Sequence, residues 1–274
     1  MPSSLTDPQM TSLVTYVAEG NPILIFDDPF PLAMGSQFGV TGAPRQPKPS
    51  QGGQMGMMGG GAPPPQPKAD GGQATRLMEQ LGILWKYDRV AFDMNNPHPE
   101  FSQLPAEYLF LTASGGNEDA FNLEDGVSKG LEELVAIYAG SIDVAPGMKD
   151  ADLKALITTG PNSGLLDWSE FVDDRPNNMA MMMGGGQAAR PASDPNRRAD
   201  VANHVIAAKI NRTDGKEANA IFVTDVDMIS DFFFQERSFG NLDFQFDNVT
   251  SVSYTHLRAH ETREDLVCRL LLEK

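Results

Sequence analysis

The sequence predicts an α/β fold, and three observations carry the prediction. A helical pattern, a glycine, an apolar run and an acidic turn follow one another over residues 6–28. An apolar strand, its carboxylates and then a helical pattern return over residues 218–234. Two low-complexity stretches, about 41–73 and 174–198, interrupt this scheme without replacing it. At 274 residues the chain has room for one large domain or two small ones.

The first unit is the clearest. Thr6-Asp7-Pro8-Gln9 supplies a hydroxyl N-cap, Asp and Pro in the first turn, and Gln three residues after the cap. Met10, Leu13, Val14 and Val17 recur at helical spacing, and Gly20 stands where a helix ends. Ile23-Leu24-Ile25-Phe26 then reads as a strand buried on both faces, as in a parallel sheet. Asp27-Asp28-Pro29 stops it, because proline lacks a backbone donor and restricts the residue before it.

Residues 41–73 are rich in Pro, Gly, Gln and Met. Such composition buries too little apolar area to offset chain entropy, so a disordered insert is expected. Order resumes with Ala74, Leu77, Met78 and Leu81 on one helix face, closed by Gly82. Extended pieces follow at 83–85, 89–93 and 107–112. Residues 130–144 fit either a helix through Leu131, Leu134, Val135 and Tyr138 or a strand from Glu133 to Ile142. Residues 153–159 read as a strand entering a Gly-Pro-Asn-Ser-Gly loop. A second disordered insert is expected at about 174–198. A strand at 204–210, a polar turn over 209–217, a buried strand ending at Asp225 and Asp227, and a helix from Met228 complete the pattern. Asp247 or Asn248 would cap a last element.

Bulk composition excludes several classes. A formal charge of −16 repels nucleic acid and anionic membrane surfaces, so neither is expected as a direct partner. The single cysteine, Cys268, rules out an intrachain disulfide. No stretch approaches the roughly 20 apolar residues of a membrane span, and Met1-Pro2-Ser3-Ser4-Leu5 is not a signal peptide. From about residue 252 the text changes character, with His256, His260 and Cys268 close together; it resembles translated sequencing-adapter read-through. The expectation is a single α/β domain over 1–251, truncated at both ends, and a non-native tail over 252–274.

The order of elements resembles the soluble domain of the gliding-motility-associated ABC-transporter auxiliary (GldG-like) family. Pro2 to Thr6, Leu13 to Asp28, Leu81-Gly82-Ile83, Phe92-Asp93, Leu131 to Ile142, Leu156 to Thr159 with Ser163, Ile221 to Asp231 and Phe246 to Val249 carry the resemblance. It implies a three-layer α/β sandwich like class I glutamine amidotransferases, with residues 131–142 extended. It further implies a non-catalytic component acting by binding and assembly beside ABC-type permease and ATPase subunits. The location implied is extracytoplasmic or periplasmic, with membrane anchors absent from this chain.

Candidate site residues are the acidic strand ends Asp27, Asp28, Asp93, Asp225 and Asp227. In an open α/β sheet, ligands sit beyond the carboxyl ends of the strands, and clustered carboxylates there suit a small ligand, Mg²⁺ or Ca²⁺. The plainer and favoured reading is that each Asp caps a helix or closes a turn. No catalysis is expected. Gly160-Pro161-Asn162-Ser163-Gly164 has the wrong spacing for a serine elbow, and His98 and His204 lie in a turn and an apolar strand. The Gly-rich start at 71–75 lacks the Lys-Ser/Thr of a phosphate loop. The methionine clusters Met55/Met57/Met58 and Met179/Met181/Met182/Met183 have thioethers suited to Cu(I), but flexible apolar decoration explains them as well. No cofactor or resident metal is expected.

Overall fold

The computed structural model describes residues 1–32, 67–95, 101, 103–113, 117–149, 152–173, 190–192, 194–200, 202–213, 215–239 and 246–251. His98, both methionine clusters and the 252–274 tail lie outside the described residues.

The chain opens with a 3-10 turn, Pro2–Ser4, and helix α1, Asp7–Ala18. Thr6 is its N-cap, and Gln9 Oε1 accepts from both the Thr6 N–H and the Thr6 hydroxyl, each at 3.0 Å. Met10 and Val17 are buried from its inner face. Gly20, at φ +76, turns the chain into β1, Pro22–Phe26. Only Ile25 of β1 is fully buried, in place of the strand buried on both faces that the sequence suggested. The reason is position: β1 ends the strand order, so its neighbours cover it from one side. Its faces still divide cleanly. Ile23 and Ile25 pack with α1, while Leu24 and Phe26 join the opposite core.

Helix α2, Thr75–Leu81, precedes β2, Ile83–Trp85, and β3, Arg89–Asp93. Residues 67–73, assigned by composition to the first insert, carry a 3-10 turn at Ala69–Gly72 with Ala69 and Gly72 buried. Asp70 anchors it by accepting from Arg76 N and Nε. Strand β4 spans Tyr108–Thr112. The ambiguous 130–144 stretch resolves into two strands, β5 at Glu133–Ile137 and β6 at Ile142–Val144. Tyr138, at φ +58, makes the break between them.

Strand β7, Leu153–Thr158, leads through the Gly-Pro-Asn loop into β8, Ser163–Asp167, a strand the sequence reading missed. A short helix α3, Trp168–Phe171, and a two-residue ribbon of β9, Val172–Asp173, with β10, Arg190–Pro191, follow. Strand β11 runs from Val205 to Arg212, through the residues expected to begin a polar turn. Alternate burial of Ile206, Ala208, Ile210 and Arg212 keeps it in the sheet. Strand β12 is Ala218–Val223. The next helix starts later than expected. Asp227–Ile229 forms a 3-10 turn, and α4 is Asp231–Phe239.

The main sheet is mixed. Its order is β1-β12-β11-β6-β2, with β7 also paired to β11. Only β1 and β12 run parallel, with Leu24 opposite Ile221; the other pairs of this sheet are antiparallel. Two antiparallel ribbons, β3 with β8 and β4 with β5, complete the frame. One face of the sheet packs on α1 and α2 through Met10, Leu77, Leu81 and Phe222. The other packs on the ribbons through Leu109, Leu134, Leu156 and Ile206.

Candidate functional site

The parallel pair β1–β12 brings two acidic strand ends side by side. Asp27 and Asp28 leave β1 as Asp225 and Asp227 leave β12, and all four are fully buried. A buried carboxylate needs donors or a proton, because its charged form loses hydration. Main-chain amides supply the donors. Asp28 accepts from Phe30 N at 2.7 Å and Val226 N at 2.9 Å. Asp225 accepts from Ile137 N at 2.7 Å and Asp227 N at 2.6 Å. Asp227 accepts from Leu32 N at 2.7 Å. Each carboxylate therefore holds a loop in place.

Asp28, Asp225 and Asp227 form one cluster, with a carboxylate oxygen of each within 4.8 Å of the others. Burial, then the charges of Asp225 and Asp227, push the Asp28 carboxyl well above its usual range. Burial and Asp227 push Asp225 up to about 8. The site can thus hold a proton; three oxygens at this spacing are also the ligand type that Mg²⁺ or Ca²⁺ takes.

The other two candidates do different work. Asp27 turns away from the cluster and accepts from Ser3 N at 2.9 Å and Ser3 Oγ at 2.5 Å, fastening the amino-terminal turn to β1. Burial raises its carboxyl, against the pull of the chain amino terminus. Asp93 belongs to the β3–β8 ribbon. It accepts from Asn95 N and Gly160 N, both at 2.9 Å, and so closes two turns. A Cβ at Gly160 would lie 2.7 Å from Asp93 Oδ2, so this turn requires glycine.

Ser163 is buried in the same loop. Its hydroxyl lies 2.7 Å from Gly160 O, 2.8 Å from Ala202 O and 2.7 Å from Thr159 Oγ1. His204 directs Nε2 to Asp200, at 3.1 Å, and its main-chain N–H to Thr159 Oγ1. These contacts sew β7, β8 and β11 together.

Two structural sites escaped the sequence reading. Glu107, at the foot of β4, forms a two-pronged pair with Arg197, Nε–Oε1 2.6 Å and Nη2–Oε2 2.9 Å. Arg197 lies in the stretch expected to be an insert, so composition concealed it. Lys68 is the second. Burial lowers its pKa while Asp27 opposes the shift, placing a cation near the Asp27–Ser3 contact. A cavity lined by Phe26, Leu156, Ile157, Ala207, Ile221 and Met228 is apolar and lies in the core, apart from the carboxylates.

A profile of the family described as ABC-type uncharacterized transport system matches residues 1–251. The chain belongs to this family. A search of curated proteins gives no significant match. Membership makes the chain an auxiliary component of an ABC-type transport system, associated with that system. Among the described residues, no helix of this transport-system chain is long and apolar enough to cross a membrane.

Proposed function

We propose that the chain is a non-catalytic interaction domain of an ABC-type transport system, acting by binding and assembly with permease and ATPase subunits on the extracytoplasmic side. The observation that carries this reading is how the polar side chains at the strand ends are used. The buried Asp carboxylates hold main-chain amides, and the Ser163 hydroxyl engages main-chain carbonyls. Groups used this way hold loops and strand ends in place, which favours a structural role for them over attack on a substrate. The amidotransferase-like three-layer sandwich implied by the gliding-motility resemblance remains part of this proposal; the sheet does carry a core on each face, one under α1 and α2 and the other under the β-ribbons.

The test is co-expression with the permease and ATPase of the cognate system, followed by affinity isolation in detergent. Joint isolation, unchanged by Ser163→Ala, is expected; a chain that emerges alone overturns the reading. A reporter that matures only outside the cytoplasm, fused to the protein, tests the location.

A second reading is a divalent-cation or small-ligand site at Asp28, Asp225 and Asp227, favoured by the 4.8 Å clustering. It predicts that Mg²⁺ or Ca²⁺ raises the melting temperature of the wild-type chain and not of Asp227→Asn. An equal response of both proteins removes it.

A further inference from the structure

The outer edge of β5 is closed in an unusual way. In an antiparallel pair, alternate residues turn their N–H and C=O groups away from the partner strand. In β5 the outward residues are Glu133, Val135 and Ile137, since their N–H groups meet side chains and not β4. Asp247 Oδ2 accepts from Glu132 N at 2.7 Å and Glu133 N at 3.3 Å, while Asp247 N donates to Glu133 O at 2.8 Å. Asn248 takes both groups of Val135, accepting from its N–H at 3.0 Å and donating Nδ2–H to its carbonyl at 2.7 Å. Asp225 takes the Ile137 N–H. The Asn248 amide thus copies the donor–acceptor pair of a neighbouring strand.

We propose that Asp247 and Asn248 form a side-chain guard that keeps β5 from pairing with the β5 of a second copy of this chain. An open strand edge is a template for another strand. This edge is self-complementary. A two-fold axis at Val135 would let the two Val135 residues exchange both bonds, with each Glu133 N–H facing the other copy's Ile137 carbonyl. The pairing would also exchange the Asp225 bond to Ile137 N–H for one to the other copy's Glu133 carbonyl, a one-for-one replacement. The inner edge of β5 is already paired with β4, and the Val135 side chain packs with Phe110 and Phe233.

The test uses the full chain carrying Asp247→Ala with Asn248→Ala, followed by sedimentation over a wide concentration range. Enough salt is present to screen self-repulsion from the −16 charge. The variant should shift to a dimer as concentration rises, with native circular dichroism, while the wild-type chain keeps its mass. Amide exchange at Val135 should be fast in the dilute variant and slow again in the dimer. Adding Val135→Pro removes the outward donor and leaves the β4-facing bonds of Leu134 and Ala136, so it should reverse the association. A folded variant that keeps the wild-type mass throughout overturns the proposal. Loss of cooperative melting in both the double variant and the milder Asn248→Ser also overturns it, assigning the pair to folding alone.

Discussion

At the scale of single residues, the buried acids set how stability responds to pH. Asp28 and Asp225 are held above the ordinary carboxylate range of about 4, Asp225 to about 8. Between those limits the folded chain keeps a proton that the unfolded chain has released. Stability therefore falls as pH rises through that window, and the loss is complete above the folded pKa. Asp227 contributes to both shifts through its charge. Asp227→Asn, whose amide oxygen can still accept from Leu32 N, should flatten the decline and raise the melting temperature near pH 8. Thermal melts of both proteins across pH 5–9 check this, and parallel curves would contradict it. Ser163→Ala removes the one hydroxyl proton shared by the Gly160 and Ala202 carbonyls in a buried loop. It should cost about 1–3 kcal/mol in urea unfolding, with the fold kept.

Elements are held to one another by a few polar ties. The strongest candidate is the forked Arg197–Glu107 pair, where the Glu107 side chain is 2% exposed and Arg197 22%. It binds the segment 194–200 to the foot of β4. Arg197→Met strands a buried carboxylate and should cost about 3 kcal/mol, the low end for a buried pair because the guanidinium is partly wet. Adding Glu107→Gln should recover part of that loss, and a double-mutant cycle in denaturant measures it. Gly140 sets a second inter-element contact. A Cβ there would lie 2.5 Å from the Trp85 ring, so β2 can approach the β5–β6 connection only over glycine. Gly140→Ala should destabilise by about 1–3 kcal/mol through overpacking, read from the denaturant midpoint.

For the whole molecule, the mixed sheet is the shared wall of two cores. Phe222, fully buried on β12, packs against Trp85 with ring centroids 5.6 Å apart on the helix-covered side. Its neighbours Ile221 and Val223 face the opposite core. Phe222→Ala should cost about 3–5 kcal/mol, a large part of the stability of an ordinary domain, and calorimetry should show one broadened, lowered transition. Survival of a separate transition for the ribbon side would mean that the cores unfold independently.

The sequence by itself determined α1 with its Thr6–Gln9 cap, the apolar strands β1 and β12, helix α2 with its Gly82 stop, and the acidic character of both strand ends. These features are local, written in caps, periodicity and turn residues. Tertiary structure alone decided the rest. Strand periodicity is silent about partners, so it could not reveal that β1 and β12 lie parallel while β11 runs against β12. It could not separate Asp27, fastened to Ser3, from Asp28, which meets Asp225 and Asp227 from far along the chain. The splitting of residues 130–144 depended on Tyr138 adopting a left-handed backbone, a cost that only its packing against Phe30, Tyr108 and Phe171 can offset. Residue type fixes what a side chain can donate, accept or bury; which group it meets depends on register, and register is set by the sheet as a whole.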